Sequence, residues 1–180
     1  VGSRYVAQLH SSGNIRVEIP TNLLDAAKSS YAQYGDAAVV TISRLGGEGY
    51  DVYHSMKTVT WGSTKAYADE NAHLLQLTDN EKTLIKHMGE NFGKVIVLIN
   101  SGHTLEISEL EDDPNVDAVL YIGQPGASGF AAVPRILTGA VNPSGKTVDV
   151  YAANFKADPT WNNFGLNIQL DPETYVKYNL

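Results

Sequence analysis

The stretch Ala37-Ala38-Val39-Val40-Thr41-Ile42-Ser43-Arg44-Leu45-Gly46-Gly47-Glu48-Gly49-Tyr50-Asp51 decides the reading of this chain. Its first six residues are an apolar, β-branched run of the kind that builds a strand buried on both faces. Three glycines and one carboxylate follow, just where such a strand releases the chain. Glycine reaches backbone conformations that other residues resist and lets a ligand approach closely. Glu48 can therefore be aimed from this loop. The same pattern also fits a tight solvent turn with an incidental Glu, since most loops do nothing chemical.

Two more runs of the same kind follow. Val95-Ile96-Val97-Leu98-Ile99 exits through Asn100-Ser101-Gly102-His103, and Val116 to Ile122 exits through Gly123-Gln124-Pro125-Gly126-Ala127-Ser128-Gly129. Helical segments are expected between the strands. Thr78-Asp79-Asn80-Glu81 is a capping-box pattern, with Thr at the cap and Glu three positions on. It opens a helix that carries Leu84, Ile85 and Met88 on one face and ends near Gly93. Thr104 can cap a short helix through about Leu110, and Phe130 to Leu137 reads as helical despite Pro134. Strand-helix alternation with continuous apolar strands implies a parallel sheet. The expected fold is α/β, a three-layer α/β/α sandwich with a mostly parallel sheet of about six strands and helices on both faces. In such a sheet the exits 43–51, 100–103 and 123–129 share one edge, where ligands bind.

The flanks are less regular. Residues 14–19 alternate and read as a short strand ended by Pro20. Thr21 or Asn22 caps a short helix through about Ser30. Residues 46 to 77 lack periodicity, and so long an irregular span in a compact domain is often functional. Thr147-Val148-Asp149-Val150-Tyr151 reads as one more strand, and 152–180 as an irregular, surface-lying segment.

The chain has 180 residues, 43% hydrophobic and 18% charged, which is one domain of ordinary globular composition. Its net charge of −7 argues against nucleic acid and anionic membrane as partners. It has no cysteine, so disulfide and thiolate chemistry are excluded. No apolar run reaches the length of a membrane span. Val1-Gly2-Ser3-Arg4 has neither a start Met nor a signal-peptide pattern, so a processed chain or a piece of a longer protein is expected.

The motifs, taken in order, resemble glycoside hydrolase family 3. Ile42-Ser43-Arg44-Leu45-Gly46-Gly47-Glu48-Gly49-Tyr50-Asp51 is similar to that family's SGEGxD loop. Leu77-Thr78-Asp79-Asn80-Glu81 resembles the segment opening its next helix. Val95 to Gly102 is similar to its VVVVLNSG strand and turn, and Ala140-Val141-Asn142-Pro143-Ser144-Gly145-Lys146 to its GxxNPSGKLP signature. The resemblance covers about residues 36–151. It implies the second, α/β sandwich domain of a retaining, exo-acting β-glycosidase of β-glucosidase type. There Glu48 would be the general acid/base, at a site shared with a TIM-like barrel that supplies the aspartate nucleophile. The implied partners are a β-linked carbohydrate and that barrel, with no cofactor. Two departures mark a divergent branch. The family's Gly-Gln-Glu-Gly-Gly run is Gly123 to Gly129 here and lacks the Glu, and its Leu-Pro after the Lys is Thr147-Val148. The barrel's Ser-Asp-Trp motif does not occur in this chain.

Asp51 caps or orients the loop, as Asp commonly does in turns, or else supplies a second carboxylate. Arg44 is either a strand-end residue paired to a nearby acid or a group that positions the loop or substrate. Gly47, Gly49 and Tyr50 complete the candidate loop, Tyr50, Tyr53 and Trp61 either stacking on sugar or packing the loop down. Asp51 with His54, or His73 with Asp69, could be drawn as a metal pair, but no set of three or four ligands follows, so no metal is expected. Ser101 lacks the Gly-x-Ser-x-Gly context of a nucleophile elbow, and the Gly-rich loop lacks the Lys-Ser/Thr of a phosphate cradle. The remaining alternative is a non-catalytic carbohydrate-binding or scaffold domain of the same fold, with Glu48 idle.

Overall fold

The apolar, mostly β-branched residues at 38–42 and 95–99 favour mutual pairing in a sheet, where at least one side-chain row is hidden from water. The computed structural model describes residues 8–9, 16–17, 24–44, 60–61, 64–65, 73 and 75–163. In chain order its strands are β1 (Gln8–Leu9), β2 (Arg16–Val17), β3 (Ala38–Arg44), β4 (Thr60–Trp61), β5 (Thr64–Lys65), β6 (Val95–Ser101) and β7 (Ala118–Tyr121). Its α-helices are α1 (Leu24–Ala27), α2 (Asp79–Asn91), α3 (Ser108–Glu111), α4 (Gly126–Gly129) and α5 (Ala132–Leu137).

The central sheet is β3-β6-β7, parallel throughout. Ala38 pairs with Val95, Val40 with Val97, Ile42 with Ile99 and Arg44 with Ser101. Strand residues alternate faces, so these pairs share one face. That face is the core: Ala38, Val40, Ile42, Val95, Val97 and Ile99 pack with Leu24, Leu75, Leu77, Ile85, Met88, Leu105 and Leu110. The opposite row is covered less completely. Leu98 is buried, but Val39 is 48% exposed. Val133 of α5 is buried apart from the main cluster.

Helix α2 starts as its sequence dictates. Thr78 accepts from the Glu81 N–H at 3.1 Å and the Glu81 carboxylate accepts from the Thr78 N–H at 2.9 Å, a complete capping box. Pro134 sits in the first turn of α5, where its missing N–H would have no intrahelical partner.

The parallel α/β reading therefore stands, with several corrections. Both long strands run two residues further than the apolar runs, taking in Ser43-Arg44 and Asn100-Ser101, because the ladder continues through Ser43 with Asn100 and Arg44 with Ser101. The helix expected from Thr104 begins only at Ser108, since Leu105 is drawn as a single fully buried side chain into the core. The exit after β7 holds the short helix α4 rather than loop alone. Residues 147–151 form no strand: Val148 and Val150 are more than nine-tenths exposed, so no apolar burial offsets the entropy of extending them. Among the described residues the parallel sheet has three strands. Of the strand expected over 14–19, Arg16–Val17 pairs antiparallel with Gln8–Leu9. The expected caps Thr21 and Asn22 lie outside the described residues.

Candidate functional site at the carboxyl edge of the sheet

The carboxyl ends of β3, β6 and β7 converge, and polar side chains replace apolar ones there. On one face Asn100 joins all three exits. Its amide N–H₂ donates to the Gly123 carbonyl at 2.7 Å, and its carbonyl oxygen accepts from the Ser43 hydroxyl at 3.3 Å. The turn after β6 is closed by Ser101, fully buried, whose hydroxyl donates to the His103 carbonyl at 2.8 Å and accepts the His103 N–H at 2.9 Å. Nε2 of His103 is buried without a hydrogen-bond partner among the described residues. Gly102 leaves room for Gln124, whose amide nitrogen lies 3.1 Å from where a Cβ would stand.

On the other face the strand ends in a buried ion pair. Arg44 is 2% exposed. Its Nη1 donates to Glu81 Oε1 and its Nη2 to Glu81 Oε2, both at 2.9 Å. Nη1 also donates to the Ser43 carbonyl at 2.9 Å, and Nη2 to the Gln76 carbonyl. This is the fork geometry in which a guanidinium binds a carboxylate most strongly. Glu81 thus has two duties, capping α2 and receiving Arg44. The positive end of the α2 dipole favours its charge.

A second buried node holds residues 73–77. His73 is fully buried. Its Nε2 lies 3.1 Å from Glu106 Oε1, and that oxygen also accepts the Phe155 N–H at 2.5 Å. The His73 ring meets Trp161 edge-on at 4.7 Å and Phe155 at 6.2 Å. Gln76 N donates to the His73 carbonyl at 3.0 Å, and Glu106 N to the Leu75 carbonyl at 2.8 Å. Residues 153–163 are therefore not merely surface-lying: they form two 3-10 turns, Phe155–Ala157 and Pro159–Asn163, that put aromatic rings beside His73, while 164–180 lie outside the described residues.

Of the residues expected to carry chemistry, Arg44 is placed on the sheet edge beside Glu81. Glu48, Gly47, Gly49, Tyr50 and Asp51, with His54 and Asp69, lie outside the described residues. His87, on α2, shares a 3.0 Å hydrogen bond between its Nε2 and the Tyr31 hydroxyl. Sequence reasoning passed over Asn100 as part of a turn, Glu81 as a cap only, and Gln76 and Glu106 altogether. The available signal was Arg44 itself, a cation at the end of an apolar strand, which had to find an acid. Beside β7 an open groove between α5 and residues 143–151 carries Tyr121 and Tyr151 in edge contact at 6.3 Å. Burial, with Tyr121 and Asp149 nearby, raises the Tyr151 hydroxyl above its ordinary pKa.

Residues 4–175 match the model of the glycosyl hydrolase family 3 C-terminal domain, well beyond the motif span of 36–151. Beta-glucosidase A of Butyrivibrio fibrisolvens is 33% identical over 156 residues, covering 82% of this chain and 18% of the relative. A beta-glucosidase of Ruminococcus albus is 31% identical over 78% of this chain and 13% of its own, and Beta-D-xylosidase 1 of Arabidopsis thaliana is 30% identical over 80% and 16%. Among solved structures, a beta-glucosidase from Paenibacillus barengoltzii superposes with a TM-score of 0.65 at 27% identity, over 86% of this chain and 15% of that one. The chain spans less than a fifth of the length of each of these relatives.

Proposed function

The chain belongs to the glycosyl hydrolase family 3 C-terminal domain family, and from that premise we propose that it is the acid/base domain of a larger, retaining β-glycosidase. The substrate class is a terminal β-linked glycoside, of the β-glucosidase type named for the bacterial relatives. Glu48 is the general acid/base. A TIM-like barrel of the same enzyme holds the sugar and supplies the aspartate nucleophile. The observation that carries this reading is the Gly46-Gly47-Glu48-Gly49 sequence directly after β3, whose carboxyl end meets those of β6 and β7.

The chemistry asks for two carboxyl groups about 5–5.5 Å apart across the glycosidic bond. The barrel aspartate attacks the anomeric carbon as Glu48 gives its proton to the departing oxygen. In the second step Glu48, now a carboxylate, takes a proton from the water that attacks the same carbon and releases the nucleophile. Two displacements retain configuration. A carboxylate brought to a sugar held by another domain needs a loop with backbone freedom, which Gly47 and Gly49 provide. Tyr50 and Asp51, two and three residues on, complete the set expected to bind substrate or position the loop. No cofactor enters the cycle.

In the full-length protein, Glu48→Gln removes proton donation with little change of shape. Turnover of an unactivated alkyl glycoside falls by about 10²–10⁴, the range of general acid–base catalysis. Wild-type turnover of that substrate by Glu48→Gln would leave a non-catalytic carbohydrate-binding or scaffold domain as the reading.

A further inference from the structure

The described part of β3 ends at Arg44, and His73 is the next described residue in the buried core. Those two residues are tied to each other. The Arg44 guanidinium bonds the Gln76 carbonyl and grips Glu81 with both amino groups, while Gln76 Oε1 accepts the His73 N–H at 3.2 Å. His73 is in turn fixed to Glu106, on the connection after β6. One side chain at the end of β3 thus ties the segment around Gln76 to that strand end.

A buried ion pair is a poor device for stability alone. Its desolvation penalty rivals its Coulombic gain, and apolar residues of the same volume often serve as well or better. What the fork does supply is direction and register. We propose that Arg44, clasped by Glu81 and the Gln76 carbonyl, is a positioning residue that sets where the Glu48 loop stands relative to the sheet edge. This rests on Glu48 being the acid/base. Displacement of a catalytic group by about 1 Å can lower a rate by about 10²-fold, so a clasp at the root of the loop controls proton delivery without touching the substrate.

A positioning role and a merely structural one separate by leaving group. A 2,4-dinitrophenyl glycoside departs with little proton assistance, whereas a methyl or phenyl glycoside needs it. In the full-length protein, Glu81→Gln keeps shape but weakens the grip, and Arg44→Lys keeps charge but loses the fork. The expected result is a kcat/KM loss at least tenfold larger for the phenyl than for the dinitrophenyl glycoside, in the same sense as for Glu48→Gln, with soluble enzyme of native circular dichroism. Leu110→Ala, a core change away from the clasp, should lower both substrates equally. Equal losses for both clasp variants while Glu48→Gln discriminates would overturn the positioning role alone. If Glu48→Gln itself fails to discriminate, the acid/base reading falls and takes the inference with it. Failure of Arg44→Lys to fold leaves Glu81→Gln to decide.

Discussion

Arg44 and Glu81, thirty-seven positions apart in sequence, meet as a buried two-pronged pair with both nitrogen–oxygen distances at 2.9 Å. The same carboxylate closes the capping box of α2. One acid thereby couples the end of β3 to the start of the helix that packs against it.

Removing one member leaves the other charge buried. Glu81→Ala should therefore destabilise the chain by about 3–5 kcal/mol in urea unfolding. The double variant Arg44→Met/Glu81→Leu should lie closer to wild type than Glu81→Ala does, because no charge is stranded. A double variant as destabilised as Glu81→Ala would show that the pair itself is strongly stabilising, rather than merely costly to break.

The cap can be separated from the ion pair. Thr78→Ala deletes the acceptor for the Glu81 N–H while leaving the carboxylate on Arg44, and should lower stability by about 1 kcal/mol. Thr78→Ser, which keeps the hydroxyl, should stay within about half of that loss. Equal losses for Ala and Ser would mean that the methyl packing, not the cap, is what matters.

Two apolar positions from strand-like stretches should behave in opposite ways. Ile99 is 1% exposed at the centre of the core, and Ile99→Ala should cost about 2–5 kcal/mol. Val148 is 96% exposed, and Val148→Ala should change stability by less than about 0.5 kcal/mol. A large loss at Val148 would place residues 147–151 in a sheet after all.

That contrast marks how far the sequence could be read. The buried strands announced themselves because Val39-Val40-Thr41-Ile42 and Val95 to Ile99 are continuous apolar runs. The start of α2 was legible because Thr78 and Glu81 stand at capping-box spacing. Residues 147–151 carry the same alternation as a half-buried strand, but alternation says nothing about whether a neighbour is there to receive it. Arg44 was legible as a cation in search of an acid, yet Glu81 was already explained as a cap, and one carboxylate serving two partners leaves no second sequence mark. The His73 node was illegible for a related reason: its partners Glu106, Phe155 and Trp161 come from distant segments with no periodicity.

The Asp158 carboxylate accepts from the N–H and hydroxyl of Thr160 at 2.7 and 2.6 Å, and these bonds lower its pKa from 3.8. The folded value lies below the unfolded one, so the contribution is present above about pH 4 and fades as pH falls through the folded value. Nothing from this group should change between pH 7 and pH 5. In an NMR titration, the Thr160 amide shift should report a midpoint below 3.8, and Asp158→Asn should abolish that titration. A midpoint at or above 3.8 would refute the hydrogen-bonded carboxylate.

If Glu48 acts with an aspartate of a separate barrel, as proposed, the 180-residue chain by itself should show no measurable glycoside hydrolysis, since the second carboxyl group would lie outside it. Robust turnover by this chain would point to an internal nucleophile such as Asp51.

Chemical rescue separates a catalytic Glu48 from an idle one. In the full-length protein, Glu48→Ala removes both the proton donor and the base that activates water. On a dinitrophenyl β-glycoside the glycosyl-enzyme should still form, then stall. Azide, which needs no base to attack, should restore turnover in a concentration-dependent way and yield the β-glycosyl azide, with retained configuration. Wild-type hydrolysis by Glu48→Ala without azide, or an α-glycosyl azide product, would contradict the account.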